Sequence, residues 1–177
     1  DRFFELARNS FLLGLGAALI SVILALFLGY GKRMLPGKTT ILSVRTASIG
    51  YAIPGTVIAV GVIIPFAWLD GRIDAFMQSS FGISSGLILS GTIVAVMFAY
   101  VVRFLAISLQ TVESGLDKIK PSMDDAARSL GCLPRETLFK IHIPLMKSST
   151  LTALMIVFVD VMKELPATLI LRPFDFN

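Results

Sequence analysis

The stretch PSMDDAARSLGCLPRETLFKIHIP, Pro121 to Pro144, decides how the rest of the chain is read. It is polar enough to live in water, yet it lies between segments too apolar to do so. Pro121 discourages an upstream helix from running straight in, and Ser122 with Asp125 has the S-x-x-[DE] form of a capping box, so a short helix is expected to start here. Met123, Ala126, Ala127 and Leu130 fall at i, i+3, i+4 and i+7, which gathers them on one apolar face and turns Asp124, Asp125 and Arg128 away from it. Gly131 supplies the left-handed residue that ends this helix, and Pro134 opens a second one over Arg135 to Lys140. The expected product is a compact knob of two short helices joined at a glycine.

The chain around this knob is built for a bilayer. Of 177 residues, 55% are hydrophobic and only 16% charged, with a mean hydropathy of +0.80, well beyond a soluble domain of this size. The net charge of +4 is spread over several loops and not gathered on one face, which argues against nucleic acid as a partner. A single cysteine, Cys132, rules out an intrachain disulfide framework and a cysteine-based metal site. His142, the only histidine, is expected to be a polar surface residue where the knob returns to the membrane, and no nucleophile–base pair or ligand cluster points to an enzyme.

In chain order, the first uncharged run, Asn9 to Gly31, is long enough to cross roughly 30 Å of hydrocarbon. It is too long for a signal peptide and lacks a small-residue cleavage pattern. Gly14 and Ala18 offer a small-xxx-small surface for a close helix neighbour. Lys32, Arg33, Lys38 and Arg45 follow with no acidic residue among them. Within that loop Gly37-Lys38-Thr39 imitates the end of a phosphate-binding loop, but Lys32 stands where the first glycine is needed and no strand precedes it, so nucleotide binding is not expected. The second run, between Arg45 and Asp70, carries Gly50, Pro54, Gly55, Gly61 and Pro65, and is expected to be bent and packed inside the bundle. Asp70, Gly71, Arg72 and Asp74 read as a polar turn, with Trp68 as an interfacial aromatic. A third run covers Ile83 to Val102 and is closed by Arg103. Leu105, Leu109, Val112, Leu116 and Ile119 then keep a helical period until Gly115 and Pro121 interrupt it. Between Arg103 and Lys147 stand seven Lys/Arg and five Asp/Glu. With the first basic loop this sets eleven basic residues against Arg72 in the turn, which orients both the first loop and the knob to the cytosol and the turn to the outside.

The fourth span begins near Pro144 and is interrupted by Asp160, Lys163 and Glu164. At ~1.5 Å per residue, Asp160 lies about 20 Å along that helix. Charges at such depth are functional candidates. The plainer reading, that Asp160 and Lys163 neutralise each other at i, i+3, stands beside it.

At the knob the chain resembles the membrane-spanning permease subunits of binding-protein-dependent ABC importers, whose signature is E-A-A, three residues, G, nine residues, then I-x-L-P. Asp125, Ala126, Ala127, Gly131, Ile141, Ile143 and Pro144 stand at that spacing, with Asp for Glu and Ile for Leu. Tyr51-Ala52-Ile53-Pro54-Gly55 looks like the Y-A-x-P-G segment of iron-type permeases, where Tyr51 and Pro54 either only shape a kink or line the pathway. Lys163 to Pro173 resembles the K-E-L-P-x-T-L-x-L-R-P segment of ferric-iron importers. The resemblance implies an all-α, polytopic type I importer transmembrane domain over residues 1–177, with about four spans present and a further helix expected beyond Asn177.

It also implies partners. Separate ABC ATPase subunits would bind the ATP, so this chain needs no cofactor of its own and is not a catalyst. A second permease half, fused or separate, would complete the path, and a periplasmic binding protein would deliver cargo near Asp70 to Ser80 and beyond Leu171. The knob around Ala126 to Gly131 would dock in an ATPase cleft, and the helices attached at Ile119 and Leu145 would tilt with it. Asp160, Lys163 and Glu164 would tune passage without holding a metal tightly. Importers of thiamine, polyamines, sulfate or molybdate are the alternatives within this class. An ATP-independent transporter or channel is the alternative outside it, and has no use for a docking signature.

Overall fold

The computed structural model describes residues 2–171, and all the regular structure among them is helical. The helices are α1 (Arg2–Met34), α2 (Lys38–Ala47), α3 (Gly55–Phe81), α4 (Ile93–Leu116), α5 (Pro121–Ser129), α6 (Pro134–Thr137), α7 (Ile143–Leu145), α8 (Lys147–Lys163) and α9 (Leu165–Leu171). A 3-10 turn at Gly50–Ala52 leads into α3, and a π turn at Leu138–His142 joins α6 to α7. Residues Ala7–Met34 of α1, together with α3 and α4, are long and apolar enough to cross a membrane. Pro134–Leu145 with α8 makes a fourth span if that pair, bent by 75°, is counted as one broken crossing. The all-α, four-span expectation therefore agrees with the structure.

Small residues run through the core, as close helix association in lipid favours. Ala17 and Ala18 of α1, Ala59 of α3, Ala95 and Ala99 of α4, Ala153 of α8 and Ala167 of α9 are all buried, with Phe104 and Tyr100 filling the space between them. A Cβ on Gly14 would lie 3.3 Å from the Phe158 ring of α8, so the Gly14/Ala18 surface is a helix contact as its spacing suggested. A second cluster, Ala25, Val44, Leu109, Val112, Leu116 and Met146, closes the bundle toward the knob. Leu109, Val112, Leu116 and Ile119 are the buried stripe expected beyond Arg103. Gly115 is the penultimate residue of α4, which stops at Leu116 as expected. It brings α8 close, since a Cβ there would meet Ser149 Cβ at 2.8 Å.

Several local expectations are corrected. The charges Asp70, Arg72 and Asp74 are not a turn but lie within α3, which runs on to Phe81 and is capped by Gly82 at φ 67°. The connection occupies the next ten residues, and α4 starts at Ile93, not Ile83, with Thr92 accepting from the Val94 N–H as its N-cap. The reason is hydrogen bonding at a distance. Asp70 Oδ1 accepts from the N–H of Leu89 (2.9 Å), and Oδ2 from the N–H and hydroxyl of Ser90 (2.7 and 2.6 Å). Asp74 Oδ1 holds the Ser84 hydroxyl and the Ser85 N–H at 2.8 and 2.7 Å. Two carboxylates thus satisfy the amides of a loop that would otherwise have no partners.

Within this chain the second span packs along one face only, through Ile58, Ala59 and Val62. Only 22% of the apolar window of α3 is buried, against 44% for α4, with Val57, Val60, Ile64 and Trp68 exposed. Pro65 is accommodated within α3. Trp68 has the Arg72 guanidinium 5.6 Å above its ring. The fourth span breaks at Met146 (φ −100°, ψ 16°). Arg172 and Pro173, the end of the K-E-L-P segment, and the delivery surface expected beyond Leu171 lie outside the described residues.

Candidate functional site

The knob forms where the sequence placed it, but its inward face is not the predicted one. Helix α5 starts at Pro121 with Lys120 in the N-cap position and no side-chain cap, so Ser122 and Asp125 make no capping box. Of the predicted apolar face only Ala127 is buried. Met123, Ala126 and Leu130 are exposed, and the other inward residue is Asp124. A helix turned this way presents its apolar residues to the outside because something holds the carboxylate within.

That something is a cluster drawn from four segments. Arg33, at the end of α1, donates from Nε to Asp124 Oδ2 at 2.8 Å, and its two other nitrogens cap the end of α4 by donating to the carbonyls of Leu116 (2.5 Å) and Ile119 (2.7 Å). His142 Nε2 lies 2.6 Å from Asp124 Oδ1 and the ring is fully buried. The expectation of a surface histidine is therefore wrong: residue 142 ends a π turn that swings it under α5. Tyr30 packs edge-on against that ring at 5.2 Å and donates its hydroxyl to the Pro134 carbonyl at 2.6 Å. Lys32 pairs with Glu113 at 2.6 Å. These contacts bring the first basic loop and the knob to one end of the bundle.

The turn of the knob matches its sequence. Gly131 has φ 78°. Its N–H donates to Arg128 O, and the Cys132 N–H to Ala127 O, both at 3.0 Å, the paired bonds of a Schellman ending. Glu136 reaches back to the Leu133 N–H at 3.1 Å and pairs with Lys140 at 2.9 Å. Asp125 is exposed, Ile141 and Ile143 are half-buried, and Pro144 is exposed. The outer surface carries Leu130, Leu133 and Phe139 at 84, 65 and 54% exposure.

Halfway along the bundle a second constellation holds one of the other singled-out residues, Glu164. Arg103 does not close a span: it lies inside α4. Its Nη1 donates to the Ile53 carbonyl at 3.2 Å, and its Nε lies 3.4 Å from Glu164 Oε2. Glu164 is the non-helical residue between α8 and α9. The Thr168 hydroxyl donates to its carbonyl and is also bonded to the Tyr100 hydroxyl. Gly50 and Gly55 allow the approach: a Cβ on Gly50 would sit 2.0 Å from the Val102 carbonyl oxygen, and one on Gly55 2.2 Å from Glu164 Oε1. Tyr51 is exposed and Pro54 sets the N-cap of α3. Asp160 is half-buried and Lys163 exposed, and neither forms an ion pair among the described residues, so the expected i, i+3 pair is not made. No group of three or more His, Cys, Asp or Glu able to hold a metal lies together among the described residues.

Residues 13–172 match the family of binding-protein-dependent transport system inner membrane components. The chain belongs to that family. It is 28% identical over its whole length to the Fe(3+)-transport system permease protein FbpB 2 of Haemophilus influenzae, of which it covers 32%. It is 30% identical over 71% of its length to the ferric transport system permease protein FbpB of Actinobacillus pleuropneumoniae, covering 16% of that protein. The chain thus spans a third or less of these relatives. Family and helices together make it a multi-pass membrane protein.

Asp124, His142, Arg33 and Arg103 were not recognised as a set in the sequence. Asp124 and His142 carry no local pattern linking them. Arg103 did carry a signal, because the helical period runs through it from Val102 to Ile119, which places a charge inside a span and not at its edge.

Proposed function

We propose that this chain is part of the permease of an ATP-driven importer of ferric iron in a bacterial inner membrane. A periplasmic binding protein supplies the cargo, separate ATPase subunits bind the ATP, and a second permease half completes the path. The knob is the observation that carries the importer reading. A segment with the spacing of an ATPase-docking signature stands off the bundle with Leu130, Leu133 and Phe139 outward, while Asp124 ties its inner side to α1 and α4 through Arg33. An apolar surface rimmed by Asp125, Arg128 and Arg135 suits a protein cleft. A channel or ion-driven carrier gains nothing from it.

Coupling then follows from the joints. When ATP closes the two ATPase subunits, Ala126 to Gly131 move with the cleft that holds them. Arg33 carries that displacement to the ends of α1 and α4, and the elbow at Ile141, Ile143 and Pro144 carries it into α8. The helices tilt, and access alternates between the two sides of the membrane.

The cargo reading is supported by the names of the relatives and by the K-E-L-P segment. Its chemistry is consistent: a hard cation prefers oxygen ligands, and a path must let its cargo leave. Asp160 is the carboxylate at that depth without an ion-pair partner among the described residues, so we assign it and Lys163 to the path. The test is radiolabelled ferric uptake by cells that depend on the importer containing this chain, with thiamine, polyamine, sulfate and molybdate run in parallel. Ferric uptake that needs both ATP and the binding protein is expected. Uptake of another of these solutes with no iron signal would replace the cargo and keep the importer.

A further inference from the structure

Arg103 and Glu164 are charges held about 20 Å from the knob end of α4, at ~1.5 Å per residue. One sits on a continuous helix and the other on the residue where α8 stops and α9 starts. Their side chains are 19 and 8% exposed. An isolated charge at such depth draws in water or a partner, and each of these is the other's partner. The Arg103 guanidinium also donates to Ile53 O, in the segment between the 3-10 turn and α3. One side chain therefore touches two segments that lie 50 residues before and 61 residues after it in sequence.

We propose that Arg103 is a positioning residue for transport: by pairing with Glu164 and holding the Ile53 carbonyl, it fixes the α8–α9 break against the start of α3. This inference rests on the importer reading above and deepens it, because it removes Glu164 from the cargo path and leaves that role to Asp160 and Lys163. Three observations carry it. Glu164 is the non-helical residue of the break (φ −80°, ψ 89°) and is tied to both helices, its N–H donating to the Val161 carbonyl at 3.0 Å and its carbonyl accepting from the Thr168 hydroxyl, so whatever holds its carboxylate holds the break. Gly55 leaves no room for a side chain between its own backbone and the pair, a Cβ being 2.2 Å from Glu164 Oε1 and 2.7 Å from Arg103 Nη1. The contact of Arg103 Nε with Glu164 at 3.4 Å is an ion pair without an aligned hydrogen bond, so charge holds the Glu164 side of the joint while one hydrogen bond holds Ile53. A joint of that kind tolerates the small rotations that alternating access requires.

The experiment uses the assembled importer containing this chain, in proteoliposomes with its binding protein. It reads complex yield, basal ATPase, ATPase stimulated by loaded binding protein, and uptake at varied cargo concentration. Glu164→Gln and Arg103→Gln are each expected to lower maximal uptake about tenfold and to abolish stimulation of the ATPase, with the KM for cargo within about twofold of wild type. Arg103→Lys should recover part of the loss, and the double variant Arg103→Gln/Glu164→Gln should exceed the worse single by about fivefold, as coupled neighbours do. Single variants within twofold of wild type would overturn the proposal, as would a double variant showing the product of the two single losses. A raised KM at unchanged maximal rate for Glu164→Gln would make it a cargo contact, which also overturns it. If the singles do not assemble, recovery of assembly in the double variant supports the pair and its absence counts against it. A wild-type complex without ATP-dependent uptake would remove the importer reading itself.

Discussion

The knob and the mid-bundle crossing both bury a carboxylate beside an arginine, and they do so in opposite ways. At the knob, Asp124 receives Arg33 at 2.8 Å and His142 at 2.6 Å, and Arg33 spends its remaining donors on the carbonyls that end α4. At the crossing, Glu164 and Arg103 stand 3.4 Å apart with the Arg103 Nε unaligned. The first arrangement is dense in close hydrogen bonds, with His142 Nδ1 left unpartnered among the described residues, and ties three segments tightly. The second is held by charge and by glycines that let backbones approach. A tight joint belongs where a displacement is handed on, and a compliant one belongs where helices must re-angle.

The contrast breaks most visibly if the hydrogen-bonded cluster at the knob proves dispensable. Asp124→Ala leaves Arg33 buried without its counter-charge and His142 without its acceptor, and is expected to cost about 3–5 kcal/mol. The purified complex should lose resistance to heat, whereas Asp124→Asn, which keeps an acceptor for His142, should lose less. A midpoint unchanged by Asp124→Ala would mean that the knob is held in some other way.

At the crossing, Gly50→Ala drives a methyl to 2.0 Å from the Val102 carbonyl oxygen. Overpacking against a backbone atom is expected to cost about 1–3 kcal/mol, read as lower yield of folded protein together with lower uptake. Gly61→Ala, which meets nothing within 4 Å, is the control and should behave as wild type.

Gly131→Val puts a β-branched residue at φ 78°, at a cost of about 1–2 kcal/mol. Because the strain is local to the turn of the knob, membrane insertion should survive while copurification with the ATPase falls. Normal copurification and wild-type transport would separate this turn from docking.

The smallest effect is the most pointed. A capping serine replaced by alanine costs about 1 kcal/mol, but the Ser122 side chain caps nothing here, so Ser122→Ala should stay within about 0.5 kcal/mol of wild type. A larger loss of thermal stability would restore the capping box that the sequence suggested.

Local chemistry was legible in the residues themselves. Uninterrupted apolar length gave the spans, because a backbone in hydrocarbon must bond to itself. Gly131 announced its left-handed turn, Gly14 and Ala18 their helix contact, and Leu109, Val112 and Leu116 their buried stripe, since each is signalled by residue type and spacing within a few residues. Asp124, His142 and Asp70 were misjudged for the opposite reason. Period alone turned Asp124 outward, yet it faces Arg33, 91 residues earlier, and Asp70 looked like a turn until the amides of Leu89 and Ser90 were seen to need it. A charge goes inward when a partner is there to meet it, and the partner's place is set by how helices pack, which no stretch of one helix records. The sequence by itself thus determined which segments are apolar enough to cross and where the knob and its glycine turn lie, but not where the outer connection falls. Only the tertiary structure decided which charges are joints, because pairing energy depends on distances between segments that chain order leaves free.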